Sequence, residues 1–527
     1  MLKNNIIIIV LLCSIINYSC GSKIIEDSIP WYYDGNNEDS TLGVNLKKAK
    51  FELLDRKNGV DVIIAMLDTE VDINHLELAK AIWNNPNEKE NGKDDDGNGY
   101  IDDINGWNFL GNNNGENVLY QSNETSRIIK WNNKNFVLSN NDTIRENYAQ
   151  YSKAKNYFNQ KRNYASVILE QTPILLNTYR KELKNPNLPK EEFITLELLD
   201  SLVEIGRIKK EELLMIYNVK RNKLSLKLIL EDSIKYVRQL NKYYNLNYED
   251  RSIIGDEEYN LDDSIYGNNS VNNNVKKLWH GTQTAGVLKG LGNENIKLMP
   301  LCISSNGDEH DKDIFMAIRY AVNQGAKIIN ISLGKEFSLN EDWLDKALLY
   351  ASENDVLIIS SAGNDNWNLD LENYKHYPDD NKNDYEFVDN FIRVGASGQY
   401  LDNNLKTSFS NYGKKEVDIF APGENIYTTS SINKNGNVFS QGTSLSTPIV
   451  SRIAALIRSY YPSLTAFEVK QILMDSSVKY DILVDVPTKE NPDQQLPFNE
   501  LSKSGGIVNA YNAMLMAEEY VKSKKKK

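Results

Sequence analysis

The chain has few cysteines and few histidines for its length. Only three cysteines occur among its 527 residues, and two of them, Cys13 and Cys20, lie close to the N-terminus. A disulfide framework is therefore excluded for the remainder of the chain, and Cys302, in an apolar run, is predicted to be a buried small hydrophobe. The four histidines limit the choice of a general base that works near neutral pH.

An excess of basic residues is absent as well. The formal net charge of −13 argues against nucleic acid as the main partner, because a phosphate-binding surface needs clustered lysine and arginine. The one basic run lies in a short tail at residues 522–527, which is predicted to be a solvated chain end. The length predicts one large domain with an insertion, or two domains.

No segment approaches the roughly 20 apolar residues of a transmembrane helix. The apolar run at residues 6–12 follows Lys3 and ends at the sequence NYSCG, residues 17–21. This pattern resembles a bacterial lipoprotein signal with Cys20 as the lipidated first residue, although Asn17 replaces the usual leucine. We predict a signal peptide over residues 1–20 and an exported, membrane-anchored protein that faces the periplasm or the cell surface. The alternative is a simply cleaved secretion signal.

The remaining chain divides into four parts by texture. A linker is predicted at residues 21–44, followed by the first part of the main domain at 45–110. Residues 275–521 alternate short β-branched runs with helical stretches, which predicts βαβ units and an α/β fold. In such a fold a mostly parallel sheet carries helices on both faces, giving three layers.

A helical insertion is predicted between the two parts of the main domain, over residues 111–274. Apolar residues recur at multiples of three and four from 144 to 183, as on one face of a long helix. We interpret the region as an inserted helical hairpin or small bundle. It either packs on itself and supports the main domain or offers a face to a partner.

Three segments carry residues suited to acyl-transfer chemistry. Asp68 ends an apolar strand-like run, His280 is surrounded by small residues at a predicted helix start, and Ser444 begins another predicted helix. A serine at a helix N-terminus lies beside free N–H groups and the positive end of the helix dipole. Taken alone, each has a simpler explanation, and for Ser444 an ordinary helix cap is the better one.

Together these segments resemble the subtilase family. The order Asp, His, Ser is that of subtilisin, and residues 280–286 (HGTQTAG) and 442–448 (GTSLSTP) match the family's histidine and serine motifs. The acid segment, residues 68–70, reads DTE where the family has Asp-Ser/Thr-Gly. Further segments that match in order are residues 325–334, 361–364, 409–413 and 418–423.

The resemblance implies an exported serine endopeptidase that forms an acyl-enzyme on Ser444. His280 would act as base, Asp68 would hold the imidazole, and Asn364 would donate to the oxyanion. The substrate-binding residues implied by the family are Ser332, Leu333, Gly334, Ala362 and Gly363. Protein or peptide substrates follow, and the oligomeric state stays open. The rival hypothesis is an inactive scaffold that binds partners through the helical insertion.

An acidic loop precedes the insertion. It reads DDDGNGYIDD from residue 94 and carries oxygen ligands at alternate positions with glycine at the sixth, like the start of an EF-hand calcium loop. The twelfth position is Asn105 rather than glutamate, so a full EF-hand is not predicted. The predicted structural calcium ligands are Asp94, Asp96, Asn98, Tyr100 and Asp102.

Two residues depart from the family pattern. Glu70 replaces a glycine after the catalytic acid, where a positive φ would strain it and its charge would raise the pKa of His280. Arg452 replaces a small residue in the tightly packed helix after Ser444. Many secreted subtilases carry an inhibitory propeptide, and the short stretch between Cys20 and the first strand predicts that a separate one is lacking.

Overall fold

The structure is a computed structural model. It describes residues 30–35, 41–55, 57–135, 144–183, 233–292, 295–382 and 385–525. The predicted signal peptide and Cys20 lie outside the described residues. The described chain divides into two compact units, one formed by Ser28–Ile128 with Glu249–Lys527 and the other by Ile129–Tyr248.

Short strands and longer helices alternate along the larger unit. The strands are β1 (Val62–Asp68), β2 (Trp107–Asn108), β3 (Ile296–Cys302), β4 (Ile328–Ile331), β5 (Leu357–Ser361), β6 (Asn381–Lys382), β7 (Tyr385–Glu386), β8 (Phe391–Ser397), β9 (Ile419–Pro422), β10 (Ile426–Ser430), β11 (Gly436–Ser440), β12 (Val478–Lys479), β13 (Leu483–Asp485), β14 (Gln495–Pro497) and β15 (Gly506–Ile507). The α-helices of the described chain are α1 (Leu46–Lys48), α2 (Glu124–Asn135), α3 (Ile144–Leu183), α4 (His280–Lys289), α5 (Asp311–Asn323), α6 (Glu341–Glu353), α7 (Thr443–Tyr460), α8 (Ala466–Asp475) and α9 (Ala510–Lys524). A π-helical segment, Ala49–Leu54, continues α1.

One large sheet organises the described part of this unit. Its strand order is β12-β15-β9-β8-β5-β4-β1-β3-β2, and neighbours are parallel except β12 and β15. Parallel neighbours need crossover connections, which the helices supply. The predicted mostly parallel α/β sheet is therefore confirmed.

Side chains of β1 point alternately to two apolar layers. Ile64 and Met66 pack in one cluster with residues of α4, α7 and α9. Ala65 and Leu67 pack in a second cluster with residues of α5 and α6. This alternation follows from the two-residue period of a strand. Helices therefore cover both faces of the sheet, as predicted.

The smaller unit is helical and rich in tyrosine. Its longest element is α3, with 40 residues, which confirms the long helix predicted from 144 to 183. The rings of Phe158 and Tyr244 lie 5.9 Å apart, edge to face, and Arg162 donates to the Tyr244 carbonyl at 2.6 Å. The rest of the predicted insertion helices lie largely outside the described residues.

The predicted insertion of 111–274 was too wide. Its flanks up to Ile128 and from Glu249 belong to the larger unit, because they bury polar groups there. The Ser122 hydroxyl donates to Asp250 at 2.9 Å, and Tyr266 donates to Asp313 at 2.7 Å. No helix among the described residues is long and apolar enough to cross a membrane.

Candidate active site

The candidate catalytic residues lie around the carboxyl ends of neighbouring strands. Asp68 is the last residue of β1, Ser332 follows β4 directly, and Asn364 lies three residues after β5. These strands are adjacent in the order β5-β4-β1. Loops at this edge of an open parallel sheet are where such folds collect ligand-binding groups.

Asp68 and His280 form a direct pair. His280 Nδ1 lies 2.7 Å from Asp68 Oδ1. The fully buried carboxylate also accepts from the Thr69 backbone at 2.7 Å and from the Thr284 hydroxyl at 2.9 Å. A buried carboxylate with several donors is held in one orientation. The imidazole is thereby held with Nε2 as the nitrogen available for proton transfer.

The environment of His280 stabilises its protonated form. Burial acts to lower the pKa of His280, but the charge and hydrogen bond of Asp68 and the charge of Glu309 outweigh it, so the pKa is raised. Glu309 was not among the predicted site residues. Burial raises the pKa of Glu309 itself to about 7, and the Ser304 hydroxyl donates to its carboxylate at 2.9 Å.

Ser444 and Asn364 come together through the first turn of α7. The Thr443 backbone N–H and hydroxyl donate to Asn364 Oδ1 at 2.9 and 3.0 Å. The amide oxygen is therefore engaged, which leaves its NH₂ group for a ligand. A β-carbon built on Gly442 (φ 141°) would lie 3.1 Å from Ser444 Oγ and 3.7 Å from Asn364 Nδ2. Glycine at 442 keeps the space between these two atoms open.

Sequence similarity identifies the family to which this site belongs. The profile described as "Subtilase family" matches residues 59–502. The chain belongs to the subtilase family. Subtilisin-like protease 1 of Plasmodium falciparum is 32% identical over 250 residues, which cover 42% of this chain and 35% of that protein. The cell wall-associated protease of Bacillus subtilis is 34% identical, covering 38% and 21%. This subtilase thus spans between a fifth and about a third of the length of these two relatives.

Two solved structures are similar to parts of this chain. A lanthipeptide protease is 29% identical, covering 45% of this subtilase and 75% of its own chain, with a TM-score of 0.35. The prenylagaramide maturation protease PagA is 27% identical, covering 45% and 82%, with a TM-score of 0.34.

The segments predicted to bind substrate lie beside each other. The Ser361 hydroxyl, at the end of β5, donates to the Leu333 carbonyl at 3.2 Å. Ala362 is fully buried and its carbonyl accepts from Asn411. Ser332 is also buried and accepts from the Asn330 amide at 2.9 Å. The structure therefore places the segments 332–334 and 362–363 together, with Gly334 exposed.

His376 is a residue of this site that the sequence reasoning missed. Its ring contacts both glycines: a β-carbon on Gly334 would collide with its Nε2, and one on Gly363 would lie 3.0 Å from its Cε1. The ring is buried, and Nε2 has no hydrogen-bond partner among the described residues. Burial first, and the charge of Arg393 second, lower the pKa of His376 to about 3. Its polar surroundings in the sequence give no signal for this position.

The other two histidines are engaged elsewhere. His75 is buried, with Nε2 3.1 Å from the Gly436 carbonyl. His310 is buried too, with Nε2 3.0 Å from Asp250. Neither lies with Asp68, so the structure pairs only His280 with the candidate acid.

Glu70 shows neither the backbone strain nor the effect on the pKa of His280 that the sequence predicts. It is not among the described residues with positive φ, so the predicted backbone strain is absent. Its buried carboxylate accepts from the Asn117 amide at 2.8 Å and from the Asn274 backbone. The groups that raise the pKa of His280 are Asp68 and Glu309, so the predicted effect of Glu70 was wrong. Glu70 instead holds the two flanks of the insertion to the larger unit.

The acidic loop brings three carboxylates together. Oxygen atoms of Glu88, Asp94 and Asp96 lie within 4.8 Å of one another. Glu88 is buried, and its Oε2 has no hydrogen-bond partner among the described residues. An unpaired buried carboxylate oxygen beside two others fits a hard cation, which prefers such ligands.

The side chains of two further predicted ligands, Asn98 and Asp102, accept hydrogen bonds from the backbone. Asn98 Oδ1 accepts from the Tyr100 backbone at 2.6 Å. The carboxylate of Asp102 accepts from the backbone of Asn91 and Gly92 at 2.9 to 3.1 Å. Asp102 therefore lies outside the carboxylate cluster, and its role as a ligand stays a prediction. Glu88 takes a place in the cluster that the alternate spacing did not reveal.

Proposed function

We propose that this subtilase is an exported serine endopeptidase. The observation that carries the proposal is the pair of buried Asp68 with partly exposed His280, at the same sheet edge as the Asn364–Thr443 arrangement. One group supplies an oriented base, and the other supplies a free amide donor beside a serine at a helix start. Acyl transfer needs both features in one place.

Each residue has one task in the proposed reaction. Ser444 Oγ attacks the scissile carbonyl while His280 Nε2 takes its proton and later returns it to the leaving amine. Asp68 keeps the imidazole in the required tautomer and stabilises the imidazolium. The Asn364 NH₂ group and the Ser444 backbone N–H donate to the oxyanion. Residues 332–334 pair with the substrate backbone as an added strand.

The decisive test is hydrolysis of an unstructured protein such as casein. The parent protein cleaves it, and Ser444→Ala lowers the rate by about 10⁶-fold, a magnitude known for subtilisin itself. Ser446→Ala is the matched control, because its hydroxyl donates only to the Pro422 carbonyl and the family motif carries alanine there. Equal rates for the parent and Ser444→Ala would reject the enzyme and favour the inactive scaffold.

We further propose that cleavage follows small side chains. The His376 ring occupies the space between Gly334 and Gly363, and the family resemblance assigns Gly363, with Ala362, to the pocket for the residue before the cleaved bond. His376→Gly enlarges that pocket. It should raise kcat/KM for a phenylalanine peptide relative to an alanine peptide by about tenfold or more. An unchanged ratio in a variant that melts like the parent would remove His376 from specificity.

Calcium in the acidic loop is also a proposal. Glu88, Asp94 and Asp96 would hold the ion, with Asn98 and the Tyr100 carbonyl as the further predicted ligands, and its two positive charges would offset most of the charge of the three carboxylates. A chelator should then lower Tm, and added calcium should restore it. Glu88→Gln should lose this dependence, whereas Glu353→Gln on the surface of α6 should keep it. A Tm insensitive to both chelator and calcium would contradict the site.

Export rests on the N-terminal pattern and on a relative described as cell wall-associated. Lipidation at Cys20 predicts a membrane-bound fraction that Cys20→Ala loses. Release of both proteins into the medium would favour the simply cleaved signal.

A further inference from the structure

A cavity lies away from the candidate catalytic residues. Its volume is about 780 Å³, and its walls come from the segment Ala49–Leu54 with α1, the end of α4, the start of β3 and the middle of α7. None of the triad residues lines it. Asp68 ends β1 whereas Ile296 begins β3, so the cavity lies towards the opposite edge of the sheet. Its volume is within the range of small-molecule sites.

The wall of this cavity is strongly basic, although the chain carries a net charge of −13. Two carboxylates, Asp55 and Glu77, line it. The cations that line it are Lys50, Lys57, Lys80, Lys289, Lys297 and Arg452. Of these, Lys57 pairs with Glu518 and Lys289 pairs with Glu77. Within the described chain the other four cations have no carboxylate partner.

Arg452 is the most buried of these cations. Its side chain is 2% exposed, and its Nε has no hydrogen-bond partner among the described residues. Burying an unpaired guanidinium is unfavourable by several kcal/mol. Burial lowers the pKa of Arg452 to about 10, so the group remains charged at neutral pH.

Carbonyl groups at the C-terminal end of α4, beside Arg452, are already engaged. The Val287 carbonyl accepts from the Tyr33 hydroxyl, and the carbonyls of Leu291 and Gly292 accept from Lys50 Nζ at 2.7 and 3.1 Å. Among the described residues, none of these carbonyls accepts a hydrogen bond from the guanidinium. Arg452 packs instead against Gly290, where a β-carbon would lie 3.1 Å from Nε.

The positive charges of Lys50 and Arg452 repel each other across the cavity. Burial first, and the charge of Arg452 second, lower the pKa of Lys50. Two cations that face the same space repel, and an anion placed between them would relieve both the repulsion and the unpaired burial. The remainder of the wall is apolar and includes Leu46, Leu54 and Leu456.

We propose that this cavity binds an amphiphilic anion, with a carboxylate or phosphate head on Arg452 and Lys50 and a short apolar chain along Leu46, Leu54 and Leu456. The site does not depend on the proposed protease activity. Both head groups share the same chemistry, since an arginine fork and an ammonium bind either oxyanion.

Calorimetry and thermal melting of the full chain test the proposal with defined probes. Decanoate and decyl phosphate should each bind and raise Tm, and the tighter of the two identifies the head group. Decanol carries the same chain without charge and should bind more weakly. Equal binding of decanol, or binding of inorganic phosphate as tight as decyl phosphate, would overturn the amphiphilic anion.

Arg452→Met is the decisive variant, because methionine fills similar space without charge. Its affinity for decanoate and decyl phosphate should fall by about 10–100-fold, as for the loss of one charged hydrogen-bonded partner. Lys346→Gln removes an equal charge from an exposed residue of α6 and should bind like the parent. Unchanged binding by a folded Arg452→Met protein, or no binding by the parent, would overturn the proposal. Lys50→Met gives a second, independent variant with the same expected direction.

Discussion

The first turn and the middle of α7 differ in how their buried polar groups are paired. At its first turn, Asn364 Oδ1 is engaged by Thr443, and Asp68 is paired with His280. Two turns further on, Arg452 is buried without a hydrogen-bonded partner in the described chain. A site that performs chemistry with its own side chains keeps them fixed by internal hydrogen bonds. A site left with an unpaired charge is suited to a partner from outside.

A second arginine on the same helix sharpens the contrast. Arg458 is also buried, but it donates to the Asp355 carboxylate at 2.6 Å and to the Leu464 carbonyl at 2.7 Å. One helix therefore carries a buried arginine with internal acceptors and another without them. The difference lies in the neighbours, because both side chains have the same donors.

Breaking the Asp68–His280 pair should cause the largest loss of activity. Asp68→Asn keeps the shape but removes the charge and the acceptor that fix the tautomer of His280, so kcat should fall by about 10⁴-fold, as in other serine protease triads. Steady-state kinetics on a peptide substrate measures this. Asp72→Asn is the matched control, because that carboxylate accepts from the Asn74 backbone of its own loop and has no part in the proposed reaction. A loss of less than tenfold in Asp68→Asn would contradict the assigned role.

Removing the Asn364 amide donor should cause the next largest loss of activity. Asn364→Ala should lower kcat by about 10²–10³-fold with little change in KM, a magnitude measured on subtilisin. Thr443→Val removes one of two donors to Asn364 Oδ1 and leaves the backbone donor, so its loss should be smaller. If Thr443→Val lost more activity than Asn364→Ala, the amide would not be the group that acts on the substrate.

Replacing the two buried arginines should have different effects on the free energy of unfolding. Arg458→Met leaves acceptors without their donor, and the partly exposed Asp355 limits the loss to about 1–3 kcal/mol of unfolding free energy. Arg452→Met removes an unpaired charge and should be neutral or stabilising when no ligand is present. Urea unfolding of both proteins compares them directly. Equal destabilisation would mean that Arg452 has an internal partner.

The smallest effect is expected on the pH dependence of activity. His280 acts as a base only when neutral, so activity is lost as pH falls through its pKa. Because the charge of Glu309 helps to raise that pKa, Glu309→Gln should move the acid limb of kcat/KM to lower pH. The surface change Glu353→Gln should leave the limb in place. A limb that moves to higher pH would contradict the electrostatic link.

The local sequence pattern was enough to predict strand β1 and the long helix α3. The run ending at Asp68 predicts β1, and its period and composition require no knowledge of distant residues. The structure gives Val62–Asp68 for this strand and Ile144–Leu183 for the helix, because apolar periodicity reflects burial on one or two faces.

The sequence pattern did not reveal the surroundings of Glu88, Asp102 and Glu70. Glu88 joins the acidic cluster from outside the spaced motif, whereas Asp102 turns to the backbone of Gly92. Glu70 is held by Asn117 and Asn274, which are far from it in the chain. The partners of Glu70 meet only through tertiary packing, which the motif spacing does not describe.

By itself the sequence determined the family, the class of fold and the set of candidate catalytic residues, since these depend on motifs and on periodic burial. Only the tertiary structure decided which groups face one another. It set the ring of His376 between Gly334 and Gly363, and it left Arg452 without a hydrogen-bonded partner in the described chain. Pairing of buried polar groups depends on distances of a few ångströms between remote segments, and a linear pattern carries no such distances.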